Sequence, residues 1–196
     1  MLTGCQTDKS VSLFDGKTLG KWKVTNFGGE GDVKIEDGNI VMEYGSPLTG
    51  VHWTGDDYPK MNYEITLEAK RVDGSDFFCG LTFRVGDDPC SLILGGWGGT
   101  VCGLSSLDGM DAANNETAMN VDFKTDKWYK VRVRVTKTNI SAWLDKEHIV
   151  DAGIEGRKIG VRPEVESSEP LGICAFETIS AIRNIRVRPL EPSELK

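Results

Sequence analysis

The stretch WYKVRVRVTKTNISAWLDKEHIVDAG, residues 128–153, decides the fold class because its apolar and charged side chains alternate. Val131, Val133 and Val135 share one side of the chain, while lysine and arginine residues occupy the other. A period of two is typical of a β-strand with one buried face. The alternation resumes after a Lys-Thr-Asn turn, and a second turn near Asp145 completes the pattern of a β-hairpin.

Other segments of the chain carry the same signal. Residues 62–72 alternate Tyr, Ile, Leu and Ala with charged or polar residues. No segment has a convincing amphipathic helical period, although residues 111–119 (DAANNETAM) favour a short helical turn. Many short strands separated by Gly and Asp turns predict an all-β sandwich of two antiparallel sheets. Further candidate strands are residues 37–45, 76–85, 90–96 and 181–190.

The length and charge of the chain limit its class. A chain of 196 residues suits one domain with its own core, which we expect over residues 12–191 between tails at 1–11 and 192–196. The formal net charge of −7 argues against nucleic acid or an anionic membrane as the partner. No apolar run is long enough to span a bilayer.

The first residues carry a targeting pattern. Leu2-Thr3-Gly4-Cys5 resembles a bacterial lipobox, in which a signal peptide is cut before a cysteine that is then lipidated. The apolar segment that normally precedes a lipobox is absent, so either the start has been trimmed or four residues match by chance. The pattern predicts an extracytoplasmic protein whose contact with the membrane is a lipid anchor at Cys5.

The other four cysteines allow two readings. Cys79, Cys90, Cys102 and Cys174 could form two disulfides in any of three pairings. Alternatively they are buried free thiols, since cysteine is a common core residue. We favour free thiols, because a chain of this size folds without cross-links. A zinc site is not indicated, since the chain has no CxxC pair and only two histidines.

Several segments resemble a known family. LFDGKTLGKWKV (residues 13–24) is similar to the opening of the 3-keto-disaccharide hydrolase family, and RNIRVRPL (183–190) resembles the family's closing strand. CGLTFR (79–84) is similar to one of its inner strands. The hairpin of residues 128–153 resembles its paired strands, with Asp-Lys where Asn-Gly is usual.

The resemblance implies a fold and a reaction. The implied fold is a concanavalin A-like jelly roll, with one of its two antiparallel sheets concave. Members of that family are usually exported bacterial proteins that act on sugars. Their substrates are glycosides oxidised at the third carbon of the sugar, where a ketone acidifies the neighbouring C–H. A general base can then remove that proton and expel the aglycone.

The sequence departs from the family pattern in two places. Family members usually carry a Tyr-Glu-Val-Gln-like strand where this chain has CSLILGGWGG, residues 90–99, without a carboxylate or an amide. They also usually carry a Leu-Gln-x-His-Gly segment where this chain has LGICAFETIS, residues 171–180. The Glu-x-Asp-x-Glu strand of laminarinase-type glucanases is absent as well. The fold therefore carries over more firmly than the activity.

Two tryptophans are candidates for binding a sugar. Trp97 lies between two pairs of glycines, which remove the side chains that would cover its indole. An uncovered indole can stack on the apolar face of a sugar ring. Alternatively, the glycines bend the backbone while Trp97 plugs the end of the core. Trp53, beside a histidine in a glycine-flanked segment, carries the same two alternatives.

Residues 105–117 (SSLDGMDAANNET) collect oxygen ligands in a short span. Ca²⁺ prefers such hard ligands, although the spacing is not that of an EF-hand. A solvated polar turn would show the same composition. The sequence establishes no cofactor; Ca²⁺ is a candidate, and its candidate ligands are Asp108, Asp111, Asn114 and Glu116.

The alternation in the strand at residues 76–85 indicates which side chains face the groove on the concave sheet of the implied jelly roll. Phe77, Cys79, Leu81 and Phe83 alternate toward one side, and Thr82 and Arg84 toward the other. If the first side is the core, Thr82 can contact substrate and Arg84 can stabilise an enolate. Arg84 could equally form a salt bridge with a neighbouring strand. Candidate bases are His52, Glu43, Glu164 and Asp76, and Asp76 is also a candidate for binding the substrate.

Among the candidate bases His52 has the ordinary pKa best suited to proton transfer near neutrality, and its neighbours place it in a loop. We therefore expect a protein that binds a saccharide or a sugar derivative and cleaves keto-glycosides. The alternative is a carbohydrate-binding or envelope-scaffold domain that has kept the fold and lost the base.

Overall fold

The computed structural model describes residues 9–56 and 58–195, which form two antiparallel sheets. The predicted all-β sandwich is therefore confirmed, and residues 2–5 with the lipobox-like motif lie outside the described residues. Two short 3-10 helices cover Pro163–Ser168 and Pro192–Glu194. The strands are β1 Val11–Ser12, β2 Trp22–Val24, β3 Val33–Glu36, β4 Asn39–Met42, β5 Leu48–Trp53, β6 Tyr63–Gly74, β7 Cys79–Val85, β8 Asp88–Gly96, β9 Val101–Ser105, β10 Met119–Asn120, β11 Tyr129–Val135, β12 Asn139–Leu144, β13 Glu147–Gly153, β14 Gly172–Phe176 and β15 Thr178–Pro189.

The two sheets mix early and late strands of the chain. Within the described residues, the first sheet has the order β13-β12-β11-β6-β15-β4-β3, and β1 pairs with the end of β15. The second sheet has the order β10-β9-β8-β7-β14-β5-β2. Val11 pairs with Val187, which joins the beginning of the domain to its end. In the described part of the chain no helix has the length and apolar character that a membrane span requires.

The core lies between the inner faces of the two sheets. Alternate residues of β6, β11, β7 and β8 point into it, as the strand period predicts. The four cysteines at 79, 90, 102 and 174 are buried and free, so the free-thiol prediction is confirmed. Burial raises the pKa of Cys90 to about 12, which keeps the thiol protonated and unreactive at neutral pH.

The structure corrects two local predictions. Residues 111–119 form no helix, but turns that lead into β10 at Met119, because the side chain of Asn115 donates to the backbone carbonyls of Leu104, Met110 and Asp111. Such side-chain bonds compete with helical ones. The second correction concerns Phe77, which packs in a small cluster outside the main core while Phe78 is in the core. The alternation misplaces Phe77 because β7 begins only at position 79.

The outer face of the second sheet is partly covered by the chain itself. The 3-10 helix Pro163–Ser168 lies against β14 and β5, where Val165 packs with Leu48 and Cys174. A Cβ atom on Gly172 would come within 2.5 Å of the Ser168 carbonyl oxygen. The helix therefore divides this face into a side over β7, β8 and β9 and a side over β5 and β2.

An ion-pair network fastens the C-terminal 3-10 helix to the first sheet. Glu64, which is only 5% exposed, accepts hydrogen bonds from Arg134 and Arg188 at 2.9 Å each. Glu194 accepts from the same two arginines. The hydrogen bond from Arg188 is the main cause that lowers the pKa of Glu194 to about 2.

This network predicts a specific acid sensitivity. Because the pKa of Glu194 is lower in the folded state, its contribution to stability is complete above the unfolded value near 4.5 and is lost as the pH falls toward 2. The stability advantage of the wild type over Glu194→Gln should therefore be constant above about pH 4.5 and shrink below it. Urea unfolding from pH 2 to 6 measures it. The exposed Glu155→Gln variant is the control, and equal advantages for both carboxylates at all pH values would refute the assignment.

Candidate functional site

A pocket of about 220 Å³ opens on the outer face of the second sheet, over β7, β8 and β9. It is smaller than the roughly 300–1,000 Å³ typical of drug-sized ligands, so it suits a ligand of about one sugar ring. Its wall combines an indole, other apolar side chains, two carboxylates, a guanidinium and two hydroxyls. The lining residues are Asp76, Phe77, Ser91, Ile93, Trp97, Ser105, Arg162, Glu164, Val165 and Phe176.

Trp97 forms one rim of this pocket and is 44% exposed. The alternative in which it plugs the core is therefore wrong. Its backbone has a φ of 50°, in the left-handed region that non-glycine residues rarely adopt. The loop of residues 95–99, hereafter the Trp97 loop, thus holds a large aromatic side chain outward at some cost in backbone strain.

A buried arginine supports the Trp97 loop from beneath. Arg71 of β6 is 6% exposed and donates to the carbonyl oxygens of Asp76, Gly95 and Gly99. A Cβ atom on Gly95 would lie 2.5 Å from the guanidinium, and φ there is +79°. Glycine at this position is therefore required by both the turn and the close approach of Arg71. Burial lowers the pKa of Arg71.

Asp76 ties the Trp97 loop to the loop that precedes β7. One carboxylate oxygen accepts from the Phe77 N–H at 2.7 Å, and the other accepts from the Gly98 N–H at 3.1 Å. Each oxygen keeps acceptor capacity, since a carboxylate offers about four lone-pair positions. Asp76 can therefore hold the loop and still accept a hydrogen bond from a ligand hydroxyl.

The opposite wall of the pocket is built by a long-range pairing. Ser106 and Gly160 exchange backbone hydrogen bonds, which fixes the chain that leads to Arg162 and Glu164. Arg162 bonds the Asp111 carboxylate at 2.9 Å and also pairs with Glu164. The hydrogen bond to Glu164 is the main cause that raises the pKa of Arg162. A fixed guanidinium and a carboxylate thus face the same pocket as the indole.

Thr82 and Ser91 contribute buried hydroxyls under the pocket. Thr82 is fully buried, and its Oγ1 lies 2.8 Å from Ser91 Oγ. Thr82 points to the predicted side of β7, but it supports the floor and does not open onto the pocket. Ser105 lies beside Ser91 on the next strand.

His52 and Arg84 lie on the same outer face but do not line the pocket. His52 is in β5 and not in a loop, and its Nδ1 is 3.1 Å from Thr25 Oγ1. Burial, and then the charge of Lys23, lower its pKa, so it is mostly neutral at pH 7. The guanidinium of Arg84 is 5.4 Å from the ring centre of Tyr58. The 3-10 helix separates His52 from the pocket.

Trp53 and Glu43 are also outside the pocket. Trp53 is 5% exposed because the period of β5 turns it toward the core, where its ring packs against Trp22 at 5.2 Å. It therefore presents no open face for sugar stacking. Glu43 follows β4 in the first sheet and pairs with Lys34 at 3.2 Å. Of the predicted site residues, the pocket brings together Trp97, Asp76 and Glu164.

The predicted calcium ligands lie in the acidic loop, which we define as residues 108–116. Arg157 pairs with both Asp108 and Glu116, and Asp111 pairs with Arg162. Asn114 donates its side-chain amide to Asp111. Among residues 9–56 and 58–195, no group of three or more His, Cys, Asp or Glu side chains is placed to hold a metal ion. Calcium binding remains a prediction, and it would have to displace these arginines.

The sequence alone did not identify Arg71, Arg162 or Ser105. Arg71 looked like an ordinary charged residue at the end of an alternating strand. Arg162 comes near Trp97 through the pairing of Ser106 with the distant Gly160, and Ser105 through the pairing of the neighbouring strands β8 and β9. Placing Ser105 beside Ser91 requires the register of β8 and β9, which the sequence does not state.

Solved structures show how this architecture is shared. A candidate glycosyl hydrolase from Parabacteroides distasonis ATCC 8503 is 16% identical, with a TM-score of 0.61 over 97% of this chain and 99% of that one. A Bacillus subtilis protein described as having a galectin-like fold is 11% identical, with a TM-score of 0.61 over 86% and 89%. The carbohydrate-binding module CBM66 from Bacillus subtilis is 10% identical, with a TM-score of 0.52 over 84% and 93%. At these identities the likeness shows the fold alone, which is a galectin-like jelly roll.

The family follows from the sequence itself. Residues 9–188 match the family described as the 3-keto-alpha-glucoside-1,2-lyase-like domain. The chain belongs to this family, which confirms the resemblance found in the opening and closing segments and places it among glycosyl hydrolase-like, carbohydrate-active domains. No curated protein matches the chain by sequence.

Replacing Arg71 should destabilise the domain. Arg71→Met keeps much of the side-chain volume but leaves two buried carbonyl acceptors and one partly buried acceptor without their charged donor. The free energy of unfolding should therefore fall by roughly 3 kcal/mol. Urea denaturation measures the loss. Arg132→Met, a partly exposed arginine on the first sheet, is the control and should cost about 1 kcal/mol or less. Equal losses in the two variants would contradict the support that we assign to Arg71.

Proposed function

We propose that the pocket beneath the Trp97 loop binds a pyranoside oxidised at carbon 3 and cleaves its glycosidic bond by elimination. The observation that supports this most is the convergence of an exposed indole, a carboxylate and an Arg-Glu pair in one ring-sized pocket. The indole suits the apolar face of the sugar, and the polar groups suit its hydroxyl edge. Membership in the 3-keto-alpha-glucoside-1,2-lyase-like family supports the keto-sugar substrate.

The residues take distinct parts in this reaction. Glu164 removes the proton from carbon 2, which the neighbouring ketone has made acidic. The electron pair of that C–H bond first forms the enolate, and Arg162 stabilises the negative charge on its oxygen. The ketone then re-forms, the pair moves to become the carbon 1–carbon 2 double bond, and the bond from carbon 1 to the glycosidic oxygen breaks with its electrons on that oxygen. The aglycone leaves with this oxygen and takes up the proton that Glu164 removed or one from water. Asp76 binds a ring hydroxyl while Trp97 stacks on the ring.

The base is the part of the proposal that mutation tests most directly. The wild type should release nitrophenol from a p-nitrophenyl 3-keto-α-glucoside, and Glu164→Gln should lower kcat at least about a hundredfold, since general bases contribute roughly 10²–10⁴. The matched control is Glu166→Gln, an exposed glutamate of the same 3-10 helix that does not line the pocket. Wild-type turnover by Glu164→Gln would eliminate Glu164 as the base.

A carbohydrate-binding domain is the second candidate function. It is favoured by the fold shared with a carbohydrate-binding module and by the absence of the family's usual carboxylate, amide and histidine from residues 90–99 and 171–180. The pocket would then hold an unmodified sugar and perform no chemistry. Sugar binding by a wild type that turns over no keto-glycoside would support this function over the lyase.

Both functions require the indole as a binding surface. Trp97→Ala should weaken the binding of a methyl glucoside roughly tenfold, because an aromatic contact of this kind contributes about 1 kcal/mol. The melting temperature should change little, since the side chain is half exposed. The control is Trp128→Ala, which removes an indole covered by Arg183 outside the pocket. Calorimetry with both variants measures the difference, and unfolding of Trp97→Ala would show a structural role.

The location of the protein is a separate proposal. We propose that the protein lies outside the cytoplasm and is held to the membrane by a lipid anchor at Cys5. The lipobox-like motif supports this proposal. Radioactive palmitate should label the wild type expressed in bacteria from a gene that supplies a complete signal peptide, and Cys5→Ser should abolish the label. Labelling that persists in Cys5→Ser would overturn the anchor.

A further inference from the structure

Ser105 has an unusual position at the bottom of the pocket. The residue is 1% exposed and lines the pocket, and its Oγ has no hydrogen-bond partner among the described residues. Most buried side-chain polar groups in proteins are hydrogen-bonded, so an unpaired hydroxyl next to a cavity needs an explanation. One explanation is that an oxygen of a ligand bound in the pocket completes the hydrogen bond.

Neighbouring side chains do not satisfy this hydroxyl. Ser91 lies between Thr82 on β7 and Ser105 on β9, in direct register with both. Thr82 and Ser91 bond each other at 2.8 Å, so one hydrogen of this pair is already used. Ser105 keeps its donor and both of its acceptor positions. The three hydroxyls form a row under the pocket. Ser105, at the β9 end of this row, is the member without a hydrogen-bond partner among the described residues.

The positions of Ser105 and Trp97 indicate which part of a bound sugar would meet the Ser105 hydroxyl. Trp97 lies on the rim of the pocket, while Ser105 of β9 lies on its floor opposite Ser91 of β8. A ring stacked on the indole offers its apolar face to Trp97 and turns one edge toward the floor. That edge of a pyranoside carries hydroxyl or carbonyl oxygens, which can accept from or donate to a serine hydroxyl.

We propose that Ser105 is the specificity-determining residue of the pocket and forms a hydrogen bond with one oxygen substituent at the inner edge of the sugar ring. This inference rests on the proposed function and narrows its substrate class to pyranosides that carry an oxygen at that edge. Analogues lacking the oxygen leave the buried Ser105 hydroxyl without this partner. Such an analogue loses one hydrogen bond, which corresponds to about three- to tenfold in affinity.

The proposal makes an opposite prediction for stability and for binding. Ser105→Ala removes an unsatisfied polar group, so the melting temperature of the free protein should stay the same or rise. The same change should weaken the binding of a methyl glucoside about three- to tenfold, which corresponds to one hydrogen bond. Ser180→Ala is the matched control, because Ser180 is equally buried and unpaired among the described residues but lies in β15 of the first sheet.

A set of monodeoxy methyl glucosides identifies the oxygen. With the wild type, one member of the set should bind three- to tenfold more weakly than the parent sugar through loss of this contact. Ser105→Ala should bind that member and the parent equally, whereas Ser180→Ala should behave as the wild type. This is a double-mutant cycle between protein and ligand, measured by calorimetry.

The outcomes separate this inference from the proposed function. Unchanged affinity of Ser105→Ala for the parent sugar would overturn the inference while sugar binding by the wild type stands. A lower melting temperature with unchanged affinity would show a structural role, such as binding an internal water, and would also overturn it. No pyranoside binding by the wild type would overturn both, whereas binding without turnover of a keto-glucoside would remove only the lyase reaction.

Discussion

One buried guanidinium joins the two sheets at the end where the pocket forms. Arg71 belongs to the first sheet, yet its hydrogen bonds end on carbonyl oxygens that belong to the loops of the second sheet. A charge in the core is costly unless it is paired or hydrogen-bonded, so these carbonyls cannot move independently of Arg71. The position of the Trp97 loop is thus set by the core and not by solvent-exposed contacts.

The glycines and Asp76 are consequences of that constraint. The approach of Arg71 leaves no room for a side chain at Gly95, and the turn that follows places Trp97 in a left-handed conformation. Asp76 then holds the turn through the Gly98 N–H. The energy stored in the strained turn is balanced by these bonds, and the result is an indole held outward over a pocket before any ligand arrives. Preorganisation of this kind reduces the entropy lost on binding.

The arginines outside the core connect the acidic loop to the pocket. Arg162 contacts Asp111 on one side and Glu164 on the other, so the acidic loop supports the pocket wall. Arg157 balances the remaining carboxylates of that loop. The chain has a net charge of −7. Because these arginines neutralise the acidic loop, its carboxylates can lie close to the pocket that contains Glu164.

The strand pattern made the fold predictable, and the site was predictable only in part. The period of two at Val131, Val133 and Val135 reports burial directly, because each side chain alternates between core and solvent. The glycines around Trp97 left an open indole and a core plug as alternatives, and the structure has the open indole. His52 was expected in a loop because the short strand β5 shows no clear alternation, and for the same reason the sequence did not reveal that Trp53 faces the core. Arg162 depends on a contact between segments far apart in sequence, and Ser105 depends on the register between the adjacent strands β8 and β9. No local pattern in the sequence encodes either one.

The proposed function depends above all on the binding of a sugar ring against the indole of Trp97. The most direct measurement is a titration of the nitrogen-15-labelled protein with a methyl glucoside and its 3-keto derivative, following the indole N–H signals of the five tryptophans. We expect the Trp97 signal, assigned with Trp97→Phe, to shift in a saturable way while the signals of Trp128 and Trp143 stay in place. A silent Trp97 signal with saturable shifts at Trp128 or Trp143 would contradict it.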